Sequence, residues 1–246
     1  MGNNYFRFKQ FTIEQNDVSM RVNTDGVLLG AWFSLTHKSH AAILDAGCGT
    51  GVIALMAAQR LSELSAEFSV GAVEIDARSC IQAQKNFNSS SWKKNLAVYY
   101  SDFQSFALYA NHKYDVIVSN PPYFNNSLKN PSQTKRQARH TDKLSYEELV
   151  KGSKVLLSPG GSLAVILPAE EFEAFGKIAE KYGFAQKRKC RVFSKMEDER
   201  PIRIMAEFCI SENKKAEAET SLCIMDHNLE YTPEYKSLTK DFYVKF

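Results

Sequence analysis

Asn120-Pro121-Pro122-Tyr123 puts an amide, two prolines and a phenol into one stiff segment of this 246-residue chain. Proline fixes φ and carries no N–H, so the segment offers two acceptors, the Asn120 amide oxygen and the Pro121 carbonyl. Tyr123 adds a flat ring, and Phe124 adds a second. Two acceptors beside an aromatic plane suit a planar amine, such as the N6 of adenine or an amide NH2. Accepting both hydrogens pushes electron density onto the nitrogen and favours its change from planar to tetrahedral. The lone pair can then attack. This is electrostatic and positional catalysis, and no general base is needed before the transfer. Stacking a base on Tyr123 is worth about 1–3 kcal/mol. Alone, the tetrad is equally a rigid turn, because Asn-Pro is a common turn pair.

A second candidate is the loop Asp45-Ala46-Gly47-Cys48-Gly49-Thr50-Gly51. A dinucleotide fingerprint would need a glycine where Val52 stands, and no Gly-Lys followed by Ser or Thr marks a phosphate loop. Three glycines at alternate positions after a buried acid instead make an open loop for a nucleoside carrying an amino-acid tail. Cys48 lies inside this loop with no base beside it, so its small size, not nucleophilicity, is the expected reason for it.

Acids close two further strands. Glu74, in Ala72-Val73-Glu74-Ile75-Asp76, can accept both hydroxyls of a ribose, each bond being worth about 1.5–3 kcal/mol. Asp76 reads as a helix cap. Asp102 can accept from an adenine amine while Phe103 covers the ring, and a helix cap is the competing reading. Asp45, Glu74 and Asp102 end three successive strands, which would place them along one cleft.

The elements that must hold these groups follow from periodicity. Residues 6–13 and 18–22 alternate around Gln15-Asn16-Asp17 and predict a β-hairpin. Thr24 or Asn23 could cap a short helix carrying Leu28, Leu29, Trp32 and Phe33. Strands are expected at 41–46, 70–75, 96–100, 114–119 and 162–167. Helices are expected at 52–64, 77–88, 145–157 and 170–182. Strands alternating with helices mean a parallel sheet covered on both faces. Two longer strands, 185–194 and 202–210, follow without a helix between them, so they must be antiparallel. The polar stretch 212–220 reads as a surface loop. One domain is expected over 1–246: an N-terminal hairpin and short helix (1–40), a core (41–210) and a C-terminal extension (211–246).

Composition sets the limits. Hydrophobic residues make up 44% and charged residues 24%, near the globular average. The longest apolar run, 52–58, is far short of the roughly 20 residues that span a bilayer. Residues 1–10 carry Arg7 and Lys9 with no apolar stretch behind them, so no secretory signal is expected. Five scattered cysteines without a CxxC suggest neither a disulfide framework nor a zinc ribbon, and the five histidines show no metal spacing. No metal is expected, and a cytoplasmic protein fits best. Trp32 and Trp92 read as packing residues.

The net charge of +3 is unevenly spread. Lys129, Lys135, Arg136, Arg139 and Lys143 cluster in one stretch, with His140 among them. Lys181, Lys187, Arg188, Lys189, Arg191, Lys195, Arg200 and Arg203 cluster in another. Segregated basic segments point to a polyanion-facing surface, or to a solvated face without a partner. Lys135, Arg136, Arg139, His140, Lys187, Arg188, Lys189 and Arg191 are the candidate contacts to such a polyanion.

The glycine loop, the Glu74 segment and the tetrad resemble those of S-adenosylmethionine-dependent methyltransferases of exocyclic amines. Thr24-Asp25-Gly26-Val27-Leu28-Leu29-Gly30-Ala31-Trp32, Ala138-Arg139-His140 and Leu144-Ser145-Tyr146-Glu147-Glu148-Leu149 narrow the likeness. Together they resemble the bacterial tRNA1(Val) adenine-N6 methyltransferases, which act at adenosine 37. The resemblance implies a Rossmann-like class I fold, with a seven-stranded sheet in which 202–210 is the antiparallel strand. It implies S-adenosyl-L-methionine as cofactor and tRNA as substrate. It places Gly47, Gly49 and Gly51 around the methionine part, Glu74 on the ribose and Asp102 on the adenine. Thr24 and Asp25 would lie close to the cofactor, and Asn120, Pro121, Pro122 and Tyr123 would hold the target base.

Other readings compete. A glutamine-amide methyltransferase of proteins would use the same tetrad, but only about forty residues precede the glycine loop, and the basic stretches favour RNA. A DNA adenine-N6 enzyme would need a large recognition insert. A catalytically dead nucleic-acid binder is at odds with the intact motifs, and a nicotinamide enzyme with Val52. A monomer or weak homodimer is expected.

Overall fold

A computed structural model of the chain describes residues 3–16, 18, 20–35, 38–64, 67–123, 144–210 and 219–246. A small hairpin, β1 (Tyr5–Arg7) and β2 (Thr12–Glu14), leads into α1 (Thr24–Trp32). The core alternates β3 (His40–Ala46), α2 (Val52–Glu63), β4 (Glu67–Glu74), α3 (Ala77–Asn88), β5 (Leu96–Tyr100), α4 (Phe103–Tyr109) and β6 (Tyr114–Ser119). Next come α5 (Tyr146–Leu156), β7 (Leu157–Pro168), a 3-10 turn (Ala169–Glu171), α6 (Phe172–Lys181), β8 (Phe184–Lys195) and β9 (Arg203–Ile210). The chain closes with β10 (Glu219–Met225) and α7 (Pro233–Thr239).

Eight strands form one sheet in the order β10-β8-β9-β7-β6-β3-β4-β5. Only β9 runs against its neighbours, β7 and β8, as expected of 202–210. The expected count of seven is corrected to eight. β10 adds to the outer side of β8 in parallel, burying Leu222 and Ile224 on one face. Its first residues, Glu219 and Thr220, stood at the end of the expected surface loop, of which 212–218 lie outside the described residues.

Both faces of the sheet are covered, which is why β3 is apolar on both sides. Ala41 and Ile43 join the core under α1, α2, the hairpin and α7. Leu44 and Ala46 point to the opposite core, under α4, α5 and α6. The strand order reverses between β3–β4–β5 and β6, so the carboxyl ends of β3 and β6 flank a crevice.

Three local expectations are revised. The hairpin turn falls at Phe8–Phe11, where the Phe8 N–H donates to the Phe11 carbonyl at 2.9 Å. Gln15, read as a turn residue, is instead a buried anchor: its Oε1 accepts from the Val22 N–H and its Nε2 donates to the Asn3 carbonyl, both at 3.0 Å. The helix at 145–157 is present, with a capping box of Ser145 and Glu148. However, 158–161 belongs to β7, where the pairing with β6 slips and Gly160 takes φ +76°. Helix α4 entered the sequence reading only through the competing helix-cap role of Asp102, and α7 had no counterpart in it. They begin at the caps Asp102 and Thr232. Among the described residues, no helix is long and apolar enough to cross a membrane.

Candidate active site

Sheet register gathers the acids. Asp45 pairs with Ala72 of β4 and Val118 of β6, Ala46 with Val73, and Glu74 with Tyr100. Asp45 and Glu74 therefore sit at the carboxyl ends of β3 and β4, and Asp102, read as the end of the third strand, follows two residues after β5 stops at Tyr100. The β6 end is tied to the β3 end by the Ser119 hydroxyl, which donates to the Ala46 carbonyl at 2.7 Å in a buried bond. This bond fixes the tetrad beside the glycine loop.

The loop is a backbone cradle. Gly47, Gly49 and Gly51 take φ of +75°, +55° and +84°, a region L side chains enter only with strain. The Gly47 and Cys48 N–H groups both bond to the Val73 carbonyl, at 2.9 and 3.1 Å, so the loop leans on β4. A Cβ on Gly47 or Gly49 would meet nothing within 4 Å, whereas one on Gly51 would lie 2.4 Å from the Phe87 ring. Two of the glycines thus face open space, and the third serves the packing of α2 on α3. Burial, with Asp45 and Glu74 nearby, pushes the Cys48 thiol well above its usual range, so it carries no thiolate.

Asp45 is fully buried. Its Oδ2 accepts from the Ala54 N–H at 3.1 Å, and its Oδ1 has no partner. Burial raises its pKa to about 7 against the pull of the Ala54 bond, and Glu74 pushes the same way. Glu74 accepts from the Gly49 N–H through Oε2 and from the Asp76 N–H through Oε1, both at 2.8 Å. A carboxylate has about four lone-pair positions, so acceptor capacity remains. Asp102 caps α4, with Oδ1 accepting from the Ser105 N–H at 2.7 Å, and that bond holds its pKa below the usual value. Phe103 is only 4% exposed, its ring lying where a Cβ on Gly152 would go. Most of that ring is therefore committed to the contact between α4 and α5.

At the end of β6, the Tyr123 hydroxyl lies 2.6 Å from Asp25 Oδ2 and 3.0 Å from Asn120 Oδ1. It has one hydrogen to give, and the carboxylate is the stronger acceptor. Burial, then the Asp25 charge, raises the Tyr123 pKa, so the phenol stays protonated. Arg203 at the start of β9 donates to the same Asp25 oxygen at 2.9 Å, and its guanidinium sits 5.0 Å from the centre of the Tyr123 ring. Asp25 thus belongs to the tetrad's support. Thr24 opens α1 next to it, after the cap Asn23, whose Oδ1 accepts from the Gly26 N–H at 2.8 Å. Sequence reading missed Arg203 as a site residue. It was one cation among eight, and only the β7–β9 register brings it to this end of the sheet.

The basic residues part company. Lys135, Arg136, Arg139 and His140, with Phe124, lie outside the described residues. Arg188 is drawn inward: it pairs with the fully buried Glu207, donates to the Trp32 carbonyl at 2.6 Å and lies 3.8 Å from a Trp32 ring centre. Lys189 and Arg191 both pair with Glu219. Lys187 falls at the slip in the β8–β9 pairing and has no ion pair among the described residues. Among those residues, no group of three His, Cys, Asp or Glu side chains could hold a metal ion.

Residues 28–187 match the methyltransferase small domain family. A tRNA1(Val) (adenine(37)-N6)-methyltransferase of Trichodesmium erythraeum is 43% identical over 246 residues, covering 100% of both chains. The protein of the same name from Bacteroides fragilis strain YCH46 is 42% identical over 249 residues, again covering 100% of both. Among solved structures, one described as a predicted O-methyltransferase from Agrobacterium tumefaciens shares the fold at a TM-score of 0.68. It is 14% identical and covers 89% of this chain and 96% of its own. With the glycine cradle and the tetrad on neighbouring strands, this full-length similarity shows that the chain belongs to the bacterial tRNA1(Val) (adenine(37)-N6)-methyltransferase family.

Proposed function

We propose that this protein transfers a methyl group from S-adenosyl-L-methionine to the N6 amine of adenosine 37 in tRNA1(Val). The observation that carries the reading is the Ser119–Ala46 bond, which sets Asn120 beside the open glycine cradle. The residues present suit the cofactor. Gly47 and Gly49 leave room for close approach to backbone, Asp45 keeps a buried acceptor oxygen without a partner, and Glu74 has lone pairs left for ribose hydroxyls. When bound, the cofactor supplies a methyl group activated on a sulfonium.

The protein's own part is positional. The Asn120 amide oxygen and the Pro121 carbonyl take the two amine hydrogens. Tyr123, held by Asp25 and Arg203, supplies a ring for the purine. With the methyl group supplied by the bound cofactor, the amine nitrogen would give up one of its hydrogens as a proton to water. The target must leave its stack, which costs little for a loop nucleotide and a few kcal/mol in a duplex. Asp102 would accept from the cofactor's adenine with the oxygens its cap leaves free. With Arg188 turned inward and Lys189 and Arg191 paired with Glu219, Lys187, Lys135, Arg136, Arg139 and His140 remain among the candidate contacts from the two basic stretches. The protein works in the cytoplasm as a monomer or weak dimer.

The test is incubation with radiolabelled S-adenosylmethionine and total tRNA from a strain lacking this protein, followed by nucleoside analysis. N6-methyladenosine in tRNA1(Val) is the expected product. Label on a protein glutamine, and none in tRNA, would replace this reading with the amide one.

A further inference from the structure

We infer that a cavity beside α1 is a second nucleotide subsite, which holds an unpaired base next to the target adenosine. The inference rests on the tRNA reading above. The cavity has a volume of about 390 Å³, within the range of small-molecule sites. Its walls combine two chemistries. Phe6, Tyr231, Tyr243 and Phe246 supply aromatic surface, and Arg7 and Lys245 supply positive charge. No acidic side chain lines it, and neither Arg7 nor Lys245 has an ion pair among the described residues. Aromatic faces under a cationic rim are how proteins hold single-stranded nucleic acid: bases stack, and cations follow the phosphates.

Position supports the same occupant. Asn23 and Thr24 form one edge of the cavity, and the next residue, Asp25, accepts the hydrogen bond from Tyr123. The cavity and the tetrad are therefore joined through one turn of α1. A nucleotide adjoining the flipped adenosine would meet this wall first.

The cavity is also built firmly. Tyr231 is 37% exposed and backed by Tyr235, stacked at 5.0 Å and 17°, and by Phe246 edge-on at 5.3 Å. Tyr243 is linked to Phe8 by an antiparallel bridge that joins the hairpin to the last residues. Lys9 donates to the backbone oxygens of Lys240 and Phe246, both at 2.6 Å, which ties this segment down. Rigid aromatic walls lose little conformational entropy when a base stacks on them.

The experiment is steady-state methylation of tRNA1(Val) transcripts, and of anticodon stem-loops with abasic nucleotides on each side of adenosine 37. The double variant Arg7→Ala, Lys245→Ala changes only exposed residues. It is expected to raise KM for tRNA roughly tenfold and to flatten the salt dependence by one to two phosphates' worth. The kcat at saturation and the KM for S-adenosylmethionine should hold. Tyr231→Ala should raise the tRNA KM by a similar factor, and Tyr231→Phe should restore it. The abasic loop should cost the wild type that same factor and cost Tyr231→Ala nothing more, a coupling that a merely structural tyrosine would not give. Unchanged KM and salt slope in the double variant, or penalties that simply multiply, would overturn the subsite. A wild-type protein that methylates no tRNA would remove the proposed function itself, a result read before any variant is compared.

Discussion

Arg203 Nε lies 2.9 Å from Asp25 Oδ2, joining residues 178 positions apart in the chain. The pair brackets Tyr123, whose hydroxyl bonds to the same oxygen and whose ring lies near the guanidinium. The tyrosine proposed to hold the target base is thus set by two charges brought together from distant parts of the chain. Arg203→Ala frees that ring, and a small misplacement at a reacting centre costs up to about 100-fold in rate. The expected result is a fall in kcat with S-adenosylmethionine affinity retained and partial recovery in Arg203→Lys. Kinetics paired with calorimetry check it.

Asn120→Ala removes the acceptor proposed to act on the amine alone. Loss of one preorganised polar group of this kind costs about 100- to 1,000-fold in kcat. Cofactor binding should stay near wild type by calorimetry. Retained turnover would take Asn120 out of the chemistry.

Asp45 gives a pH signature. Its pKa in the fold, about 7, stands above the ordinary 3.8, so between these values the folded protein keeps a proton that the unfolded chain has lost. The stability linked to Asp45 is therefore full at low pH and lost as pH rises towards 7. Asp45→Asn does not titrate. Urea unfolding should show the variant gaining on wild type from pH 4 to pH 8, by on the order of 4 kcal/mol at most. A difference that stays flat with pH would mean that Asp45 is ionised throughout.

Two glycines separate binding from folding. Gly49→Ala places a Cβ in open space at φ +55°, which costs about 1–2 kcal/mol of backbone strain and fills the cradle. It should fold and bind S-adenosylmethionine weakly. Gly51→Ala drives a Cβ to 2.4 Å from Phe87 in addition to the strain at φ +84°. Thermal unfolding should show the larger loss for Gly51→Ala, and calorimetry the larger binding defect per folded molecule for Gly49→Ala.

Arg188→Ala leaves Glu207 buried without its cation. Breaking such a pair costs about 3–5 kcal/mol. The expected outcome is a large drop in denaturant midpoint with an unchanged salt slope for tRNA binding. A changed slope with normal stability would return Arg188 to the RNA face.

How much was legible follows from which contacts are local. The strand–helix alternation and the acids Asp45 and Glu74 at strand ends follow from patterns within some ten residues, the antiparallel strand at 202–210 followed from the family resemblance, and the structure bears out all three. Helix α4 was weighed only as the competing role of Asp102, because its seven residues, Phe103–Tyr109, are too short to show a helical repeat. Strand β10 was missed because only Leu222 and Ile224 mark its buried face. The charged residues were read least well. Arg188 and Arg203 look alike in a basic stretch, yet one meets Glu207 across a strand pair and the other meets Asp25 across the fold. Nothing local to either arginine distinguishes them.

The hydroxyl bond between Ser119 and Ala46 has a further consequence. The glycine loop and the tetrad hang from adjacent strands, whose spacing is about 4.8 Å in any sheet. In the proposed reaction the reach of the transfer is therefore inherited from backbone geometry and does not have to be tuned by loop sequence. A descendant of this scaffold could exchange its nucleic acid for another amine by replacing what surrounds the crevice, and the methyl would still travel the same distance.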